Sequence, residues 1–127
     1  MSANATCPFC AVANERILAR NEAGLAVLDN YAISPGHTLV VPHRHVDSVF
    51  NLEADERQLL WRLVEDARQL LSQRHKPAAF NIGVNDGKAA GQTIGHAHIH
   101  VIPRYDGDVE DPRGGVRWIL PLKAKYW

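Results

Sequence analysis

The chain has 127 residues, 46% of them hydrophobic, and equal numbers of acidic and basic side chains, so its formal net charge at pH 7 is zero. That length suits one domain with a real core, and the charge balance argues against a nucleic-acid binder held by bulk electrostatics. No apolar run is long enough for a membrane span, and the N-terminus lacks the basic-then-apolar start of a secretory signal; the expectation is a cytoplasmic protein with no membrane or nucleic-acid partner.

Residues 1–6 are small and polar and are expected to fray. Cys7-Pro8-Phe9-Cys10 follows, with the only two cysteines of the chain. In a reducing compartment a two-residue spacing speaks for metal binding or redox chemistry over a structural disulfide. A thioredoxin-like pair would follow a strand and open a helix, and neither pattern is present. Half of a zinc site needs two more ligands, and the chain offers seven histidines. Two buried cysteines in a turn are the plain alternative.

Ile17–Arg20 and Leu25–Leu28 are short apolar runs around Asn21-Glu22-Ala23-Gly24, the pattern of a β-hairpin. Asp29-Asn30 ends its second strand, and Ser34-Pro35-Gly36 makes a loop. His37–Pro42 is the next strand, stopped by its proline, with His43-Arg44-His45 just beyond. Leu59, Leu60, Leu63, Val64, Ala67, Leu70 and Leu71 recur at helical spacing, so roughly 53–75 is one long amphipathic helix. Trp61 falls off its apolar stripe, toward another element or another subunit. Glu53 is a poor N-cap, although Asp55 and Glu56 suit a first turn; Lys76-Pro77 ends the helix.

Phe80–Asn85 alternates as a strand. From Asp86 to Gly95 the chain is a loop with three glycines, which let backbone N–H groups approach an anion closely. It runs into His96-Ala97-His98-Ile99-His100-Val101-Ile102-Pro103-Arg104. Alternation at period two places His96, His98 and His100 in one row, with Ala97, Ile99 and Val101 behind them in the core. The tail carries Asp106, Asp108, Glu110 and Asp111, read as a solvated loop. Arg113, Gly114, Gly115 and Arg117 are candidates to grip phosphate, and Trp118 and Trp127 are packing or dimer contacts.

His-Ala-His-Ile-His-Val-Ile-Pro resembles the signature of the histidine triad (HIT) family. Asp29 at a strand end, Ser34-Pro35-Gly36-His37, and Asn85…Gly91-Gln92-Thr93…His96 sit at that family's relative spacings. The resemblance covers about 7–104 of a single domain spanning 1–127 and leaves 105–127 as a variable tail. It implies an α+β fold: a five-stranded antiparallel sheet, one long helix, a short N-terminal helix, and a homodimer whose sheets join.

By the same resemblance the substrate is a purine nucleotide derivative, attacked at its α-phosphorus. The implied catalytic residues are His98, the nucleophile, with His100, His96 and His37. The implied nucleotide-binding residues are Asp29 at the ribose hydroxyls, and Asn85, Gly91, Gln92, Thr93, His98 and His100 near the phosphate or leaving group. Some bacterial members hold a structural Zn2+ with a Cys-x-x-Cys pair, a later histidine and the first histidine of the triad. Here these map to Cys7, Cys10, His45 and His96, with His43 as an alternative to His45. The chemistry agrees with the residues, because a neutral imidazole is nucleophilic near pH 7. A nucleotidyltransferase, a nucleotide-binding protein with little turnover, and a metallohydrolase using His96, His98 and His100 as ligands are the rival readings.

Overall fold

In the computed structural model, residues 6–127 are described. The order of elements is β1 (Ile17–Arg20), β2 (Gly24–Leu28), β3 (Thr38–Pro42), α1 (Ala54–His75), β4 (Ala79–Gly83) and β5 (Ile99–Arg104). The strands form one five-stranded sheet in the order β1-β2-β3-β5-β4, with every neighbouring pair antiparallel. The short N-terminal helix is a single 3-10 turn at Asn14–Arg16. The expected fraying of residues 1–5 falls outside the described residues.

The helix lies on one face of the sheet. Leu60, Leu63, Val64, Ala67 and Leu71 are its buried residues, the stripe that helical spacing predicts. They pack with Ala26, Val40, Ile99 and Val101 from three strands. Each fully buried leucine contributes about 2 kcal/mol of transfer free energy, so this stripe anchors the helix. Trp61 is indeed off it and 45% exposed. Gly24 marks the closest approach: a Cβ there would lie 2.1 Å from the Val41 carbonyl oxygen and 2.9 Å from Leu60 Cδ1. Only glycine fits.

The helix start is better held than its sequence suggests. The backbone N–H of Glu53 donates to Glu56 Oε1 at 3.0 Å, and the same carboxylate accepts from Arg44 Nη1 at 2.7 Å. Those two contacts hold the Glu56 carboxyl below its usual range, the backbone hydrogen bond most of all. Arg44 comes from the segment after β3, a partner no local pattern shows. The end is as read: Lys76 turns left-handed at φ 51° and caps onto the Ser72 carbonyl.

The opposite face is covered by the N-terminal segment. Cys7 and Phe9 pack on Val27, Leu39 and Val41, with Cys10, Val12, Ile17, Leu25 and Ile94 around them. Leu39 pairs with His100 across the β3–β5 ladder, so His100 projects on this face too.

The predicted histidine strand is shorter than its alternation. β5 begins at Ile99, and its burial alternates only from there. Upstream, His96, Ala97 and His98 are all buried, and the Ala97 N–H donates to the Val46 carbonyl at 2.7 Å in place of a ladder bond. The alternation of sides still holds: Ala97, Ile99 and Val101 lie in the helix-side core, while His96 and His98 both meet Phe9 and His98 meets His100 on the other side.

Candidate active site and metal centre

His96, placed just outside the strand, has visible partners. Its Nε2 bonds the Pro42 carbonyl at 2.8 Å, so Nε2 carries the proton and Nδ1 keeps a lone pair. That Nδ1 lies 3.4 Å from Cys7 Sγ, 3.6 Å from Cys10 Sγ and 3.1 Å from His45 Nδ1. Cys10 Sγ is 3.2 Å from His45 Nδ1. All four donor atoms lie within 4.8 Å of one another. A tetrahedral ion with bonds of about 2.3 Å to sulfur and about 2.0 Å to nitrogen has N–S edges of about 3.5 Å. The cluster fits that figure, and two sulfurs with two imidazoles are a closed set for a borderline-soft divalent ion. The Pro42 carbonyl is the outer partner that such a histidine ordinarily has. Burial pushes the Cys7 thiol up, so thiolate formation there calls for a cation. His43 is not part of the cluster; its Nε2 bonds the Asn21 carbonyl at the surface. This separates it from His45.

The second group lies one step along the chain and is wired the other way. His98 Nδ1 bonds the His96 carbonyl at 2.9 Å. A carbonyl only accepts, so Nδ1 carries the proton and Nε2 holds the free lone pair. His98 stacks edge-on against His100, with ring centroids 5.2 Å apart, and tilts against Phe9 at 5.1 Å. Phe9 also meets His96, edge to face at 5.8 Å. Reading the sequence for polar chemistry missed this ring. Its place between the two cysteines was the available signal, because a turn that carries both thiols to His96 carries Phe9 as well.

His37 supplies the next link. Its Nδ1 accepts the Ile33 N–H at 3.2 Å, so a neutral His37 has its proton on Nε2. That nitrogen lies 3.0 Å from His100 Nδ1 and 3.4 Å from Asp29 Oδ2. His100 accepts at Nδ1 and therefore carries its own proton on Nε2. Asp29, His37 and His100 also lie close enough to hold a metal, but the atom of His37 that would bind is the one kept protonated. Burial lowers the pKa of His37, with Asp29 pulling it partly back. Burial lowers His100 as well, helped by His98 and His37 and opposed by Asp29. Burial likewise lowers His96, opposed by the Pro42 carbonyl. In all three, burial favours the neutral ring.

The loop before the triad is held by its own side chains. Gln92 Oε1 accepts the Gly87 N–H at 2.9 Å, and its Nε2 donates to the carbonyls of Asp47 and Ile94. The Gln92 amide thus staples the loop to the segment after β3. Asn85, Gly91 and Thr93 are exposed on it. The candidate phosphate grip in the tail is spent internally. Arg113 pairs with Asp111 at 3.0 Å and lies over Trp127. Arg117 donates to the carbonyls of Ala124 and Lys123. Within the acidic run, Asp108 is bound by Arg104 at 2.8 Å; that contact holds its carboxyl far below the usual range.

The chain is similar to known proteins in sequence and in fold. The chain is 37% identical over 93 residues to an AP-4-A phosphorylase of Mycobacterium tuberculosis, covering 72% of this chain and 48% of that protein. It is 34% identical over 96 residues to the bis(5'-nucleosyl)-tetraphosphatase (asymmetrical) of Schizosaccharomyces pombe, covering 76% and 53%. It thus spans about half the length of these two relatives. The crystal structure of a Zn-bound histidine triad family protein from Mycobacterium smegmatis superposes with a TM-score of 0.72 at 31% identity, covering 81% of this chain and 78% of that one. The HIT domain family model matches residues 11–107. With the sheet, the helix and the paired histidine clusters in place, the chain belongs to the histidine triad (HIT) family.

Proposed function

We propose that this protein is a nucleotidyl hydrolase that cleaves a purine nucleoside 5'-phosphate derivative, a phosphoramidate or a dinucleoside polyphosphate, at the α-phosphate to release a nucleoside monophosphate. The observation that carries the reading is the wiring of His98: its Nδ1–H is bound to a main-chain carbonyl, which leaves Nε2 as a fixed lone pair beside His100. The enzyme names of the two relatives support the substrate class.

His98 Nε2 attacks the α-phosphorus, and the bond from phosphorus to the leaving group breaks with its electron pair going to that group. His100 Nε2–H donates a hydrogen bond to the departing atom. The nucleotidyl-imidazole formed is cationic, and the His96 carbonyl at Nδ1–H stabilises that charge. Water then attacks phosphorus, the proton it loses balances the one taken up from solvent by the departed group, and the P–N bond breaks with its electron pair returning to His98, which leaves as the neutral imidazole. Two easier displacements replace one hard one. The loop with Asn85, Gly91, Gln92 and Thr93 borders the phosphate, and Asp29 accepts from the ribose hydroxyls. Cys7, Cys10, His45 and His96 hold one structural Zn2+. Bound there, the ion would supply no reacting group; Cys7, Cys10, His45 and His96 would hold the loop that presents Phe9 and the His96 carbonyl to His98. The free thiols Cys7 and Cys10 suit a reducing cytoplasm, and no helix among the described residues is long and apolar enough to cross a membrane.

The proposed unit is a two-fold homodimer. β4 is an edge of the sheet, and edges of this kind are covered in natural proteins. Trp61, Ile119, Leu120 and Leu122 are exposed apolar side chains available for such a contact. Light scattering of a monomer at micromolar concentration overturns this part.

A second reading, favoured by the phosphorylase name of the mycobacterial relative, has inorganic phosphate in place of water take the nucleotide from His98. Rapid-quench mass spectrometry with a dinucleoside polyphosphate and with an adenosine phosphoramidate tests both. A nucleotidyl adduct on the peptide carrying His98 is expected, followed by monophosphate in water. A diphosphate product formed only when phosphate is present selects the second reading. An adduct on another residue, or none with turnover intact, removes both.

A further inference from the structure

The loop between β2 and β3 is clasped by two hydroxyl groups. Ser34 Oγ donates to the Pro103 carbonyl at 2.7 Å, and Tyr105 Oη donates to the Pro35 carbonyl at 2.7 Å. Pro103 lies in β5, and Tyr105 follows its last residue. Tyr105 is itself fixed, because Asp108 accepts its N–H at 3.0 Å while paired with Arg104. On another side of the loop, Gly36, at φ 87°, lies against the end of α1. A Cβ there would come within 2.9 Å of His75 Cδ2 and 3.1 Å of Leu71 Cδ2. Within the loop, the His37 N–H donates to the Ser34 carbonyl at 3.1 Å, and the Ile33 N–H donates to His37 Nδ1 at 3.2 Å. The other nitrogen of that ring is 3.0 Å from His100 Nδ1.

We propose that Ser34 and Tyr105 are positioning residues for the His37–His100 pair. Both hydroxyls donate to main-chain carbonyls, so they act on the imidazoles only through the loop. The clasped loop presents the Ile33 N–H to His37. With Nδ1 accepting that N–H, His37 carries its proton on Nε2 and gives it to His100 Nδ1. His100 then keeps its own proton on Nε2, the donor turned to the departing atom. Without the clasp the Ile33 N–H is free to drift from the ring, and His37 can take the other tautomer. Its Nε2 then accepts from a His100 protonated at Nδ1, and His100 Nε2 has no proton to donate. The Asp29 carboxylate, 3.4 Å from His37 Nε2, also favours a proton on that nitrogen, which limits the effect to a partial one. The consequence for turnover rests on the hydrolase reading; the alignment of the two rings does not. The competing account is a pair of hydroxyls that only stabilise the fold.

Wild-type protein, Ser34→Ala, Tyr105→Phe, the double variant and Ser34→Thr are prepared with 15N-labelled histidine, each with its metal content measured. Ring-nitrogen NMR reads the tautomers of His37 and His100, assigned by the signals lost in His37→Gln and His100→Gln, and adenosine 5'-phosphoramidate gives kcat and KM. In wild type both rings are expected to be protonated on Nε2. In the double variant the two rings exchange between tautomers together. Two neutral hydrogen bonds at their ordinary net worth then lower kcat by about tenfold, with KM changed less than about twofold. The single variants lie between, and Ser34→Thr, which restores a hydroxyl, returns both readouts toward wild type. A double variant with a lower melting temperature but wild-type ring signals and kcat overturns the proposal, as does a rise in KM alone. In an active enzyme, either readout moving without the other overturns it as well. If the double variant does not fold, Tyr105→Phe, which keeps the ring, carries the test. Wild-type protein that releases no monophosphate fails the hydrolase reading, a separate result, and the ring signals then decide the role of the clasp alone.

Discussion

Two groups of histidines meet at His96-Ala97-His98, and they differ in which ring nitrogen the main chain takes. At His96 the Pro42 carbonyl takes Nε2, and Nδ1 turns inward to two sulfurs and a second imidazole. At His98 the carbonyl of His96 takes Nδ1, and Nε2 is left for a reacting atom. The first arrangement closes on itself with four donors; the second is open. One residue type is thus set in two different tautomers by backbone carbonyls. The groups are also coupled, since His96 contributes its ring to one and its carbonyl to the other, and Phe9 touches both.

The sharpest way to break this division is His98→Ala. Under the proposed mechanism turnover should fall by roughly three orders of magnitude or more, with modest change in nucleoside monophosphate binding, because a nucleophile contributes mainly in the transition state. Near-wild-type turnover would erase the distinction between open and closed groups. His100→Ala should be impaired less, as it removes a hydrogen-bond donor and not the bond-forming atom.

Next comes the closed group. Purified protein is expected to hold about one zinc per chain. Cys7→Ser should lower the melting temperature by on the order of 10 °C, since binding energy in such sites is folding energy. The loss of initial turnover should be smaller than that of His98→Ala. Calorimetry with metal analysis checks this; an unchanged melting temperature in metal-free protein would leave the cysteines as ordinary buried side chains.

Acid pH gives a graded test. His37 and His100 have pKa values lowered mainly by burial, so the unfolded chain takes up protons below about pH 6.5 that the native state refuses. Their contribution to stability is complete above that pH and falls as pH drops through the window down to their depressed native values. The acid limb of kcat should likewise lie below the ordinary histidine range. A limb at or above about pH 6.5 would contradict the buried, neutral pair.

The smallest effect separates neighbours in sequence. His45→Ala should lose the metal, whereas His43→Ala, at the surface against Asn21, should keep it and change stability by only about 0.5 kcal/mol. Equal metal loss in both would show that the two histidines exchange places in solution.

Local patterns marked most of the elements, and the family resemblance supplied the sheet that joins them. The short apolar runs at 17–20, 25–28 and 37–42 fall on β1, β2 and β3, the last starting one residue later at Thr38, and the residues buried on the helix are among those that helical spacing marks. The Cys7–Cys10 pair was legible as half of a metal site, while its histidine partners followed only from the family resemblance, with His43 and His45 as alternatives; the structure gathers Cys7, Cys10, His45 and His96. Tertiary structure decided what those patterns leave open. β5 starts at Ile99 and not His96, because His96 is held by Pro42 and the cysteines, residues 54 and more positions away. The helix start depends on Arg44, across a turn. His45 was separated from His43 by tertiary partners, the Cys10 sulfur and His96 for one and the Asn21 carbonyl for the other. Which nitrogen of each histidine bears the proton depends on the carbonyl or N–H beside it, and those partners, Pro42, His96 and Ile33, are main-chain atoms that every sequence supplies alike.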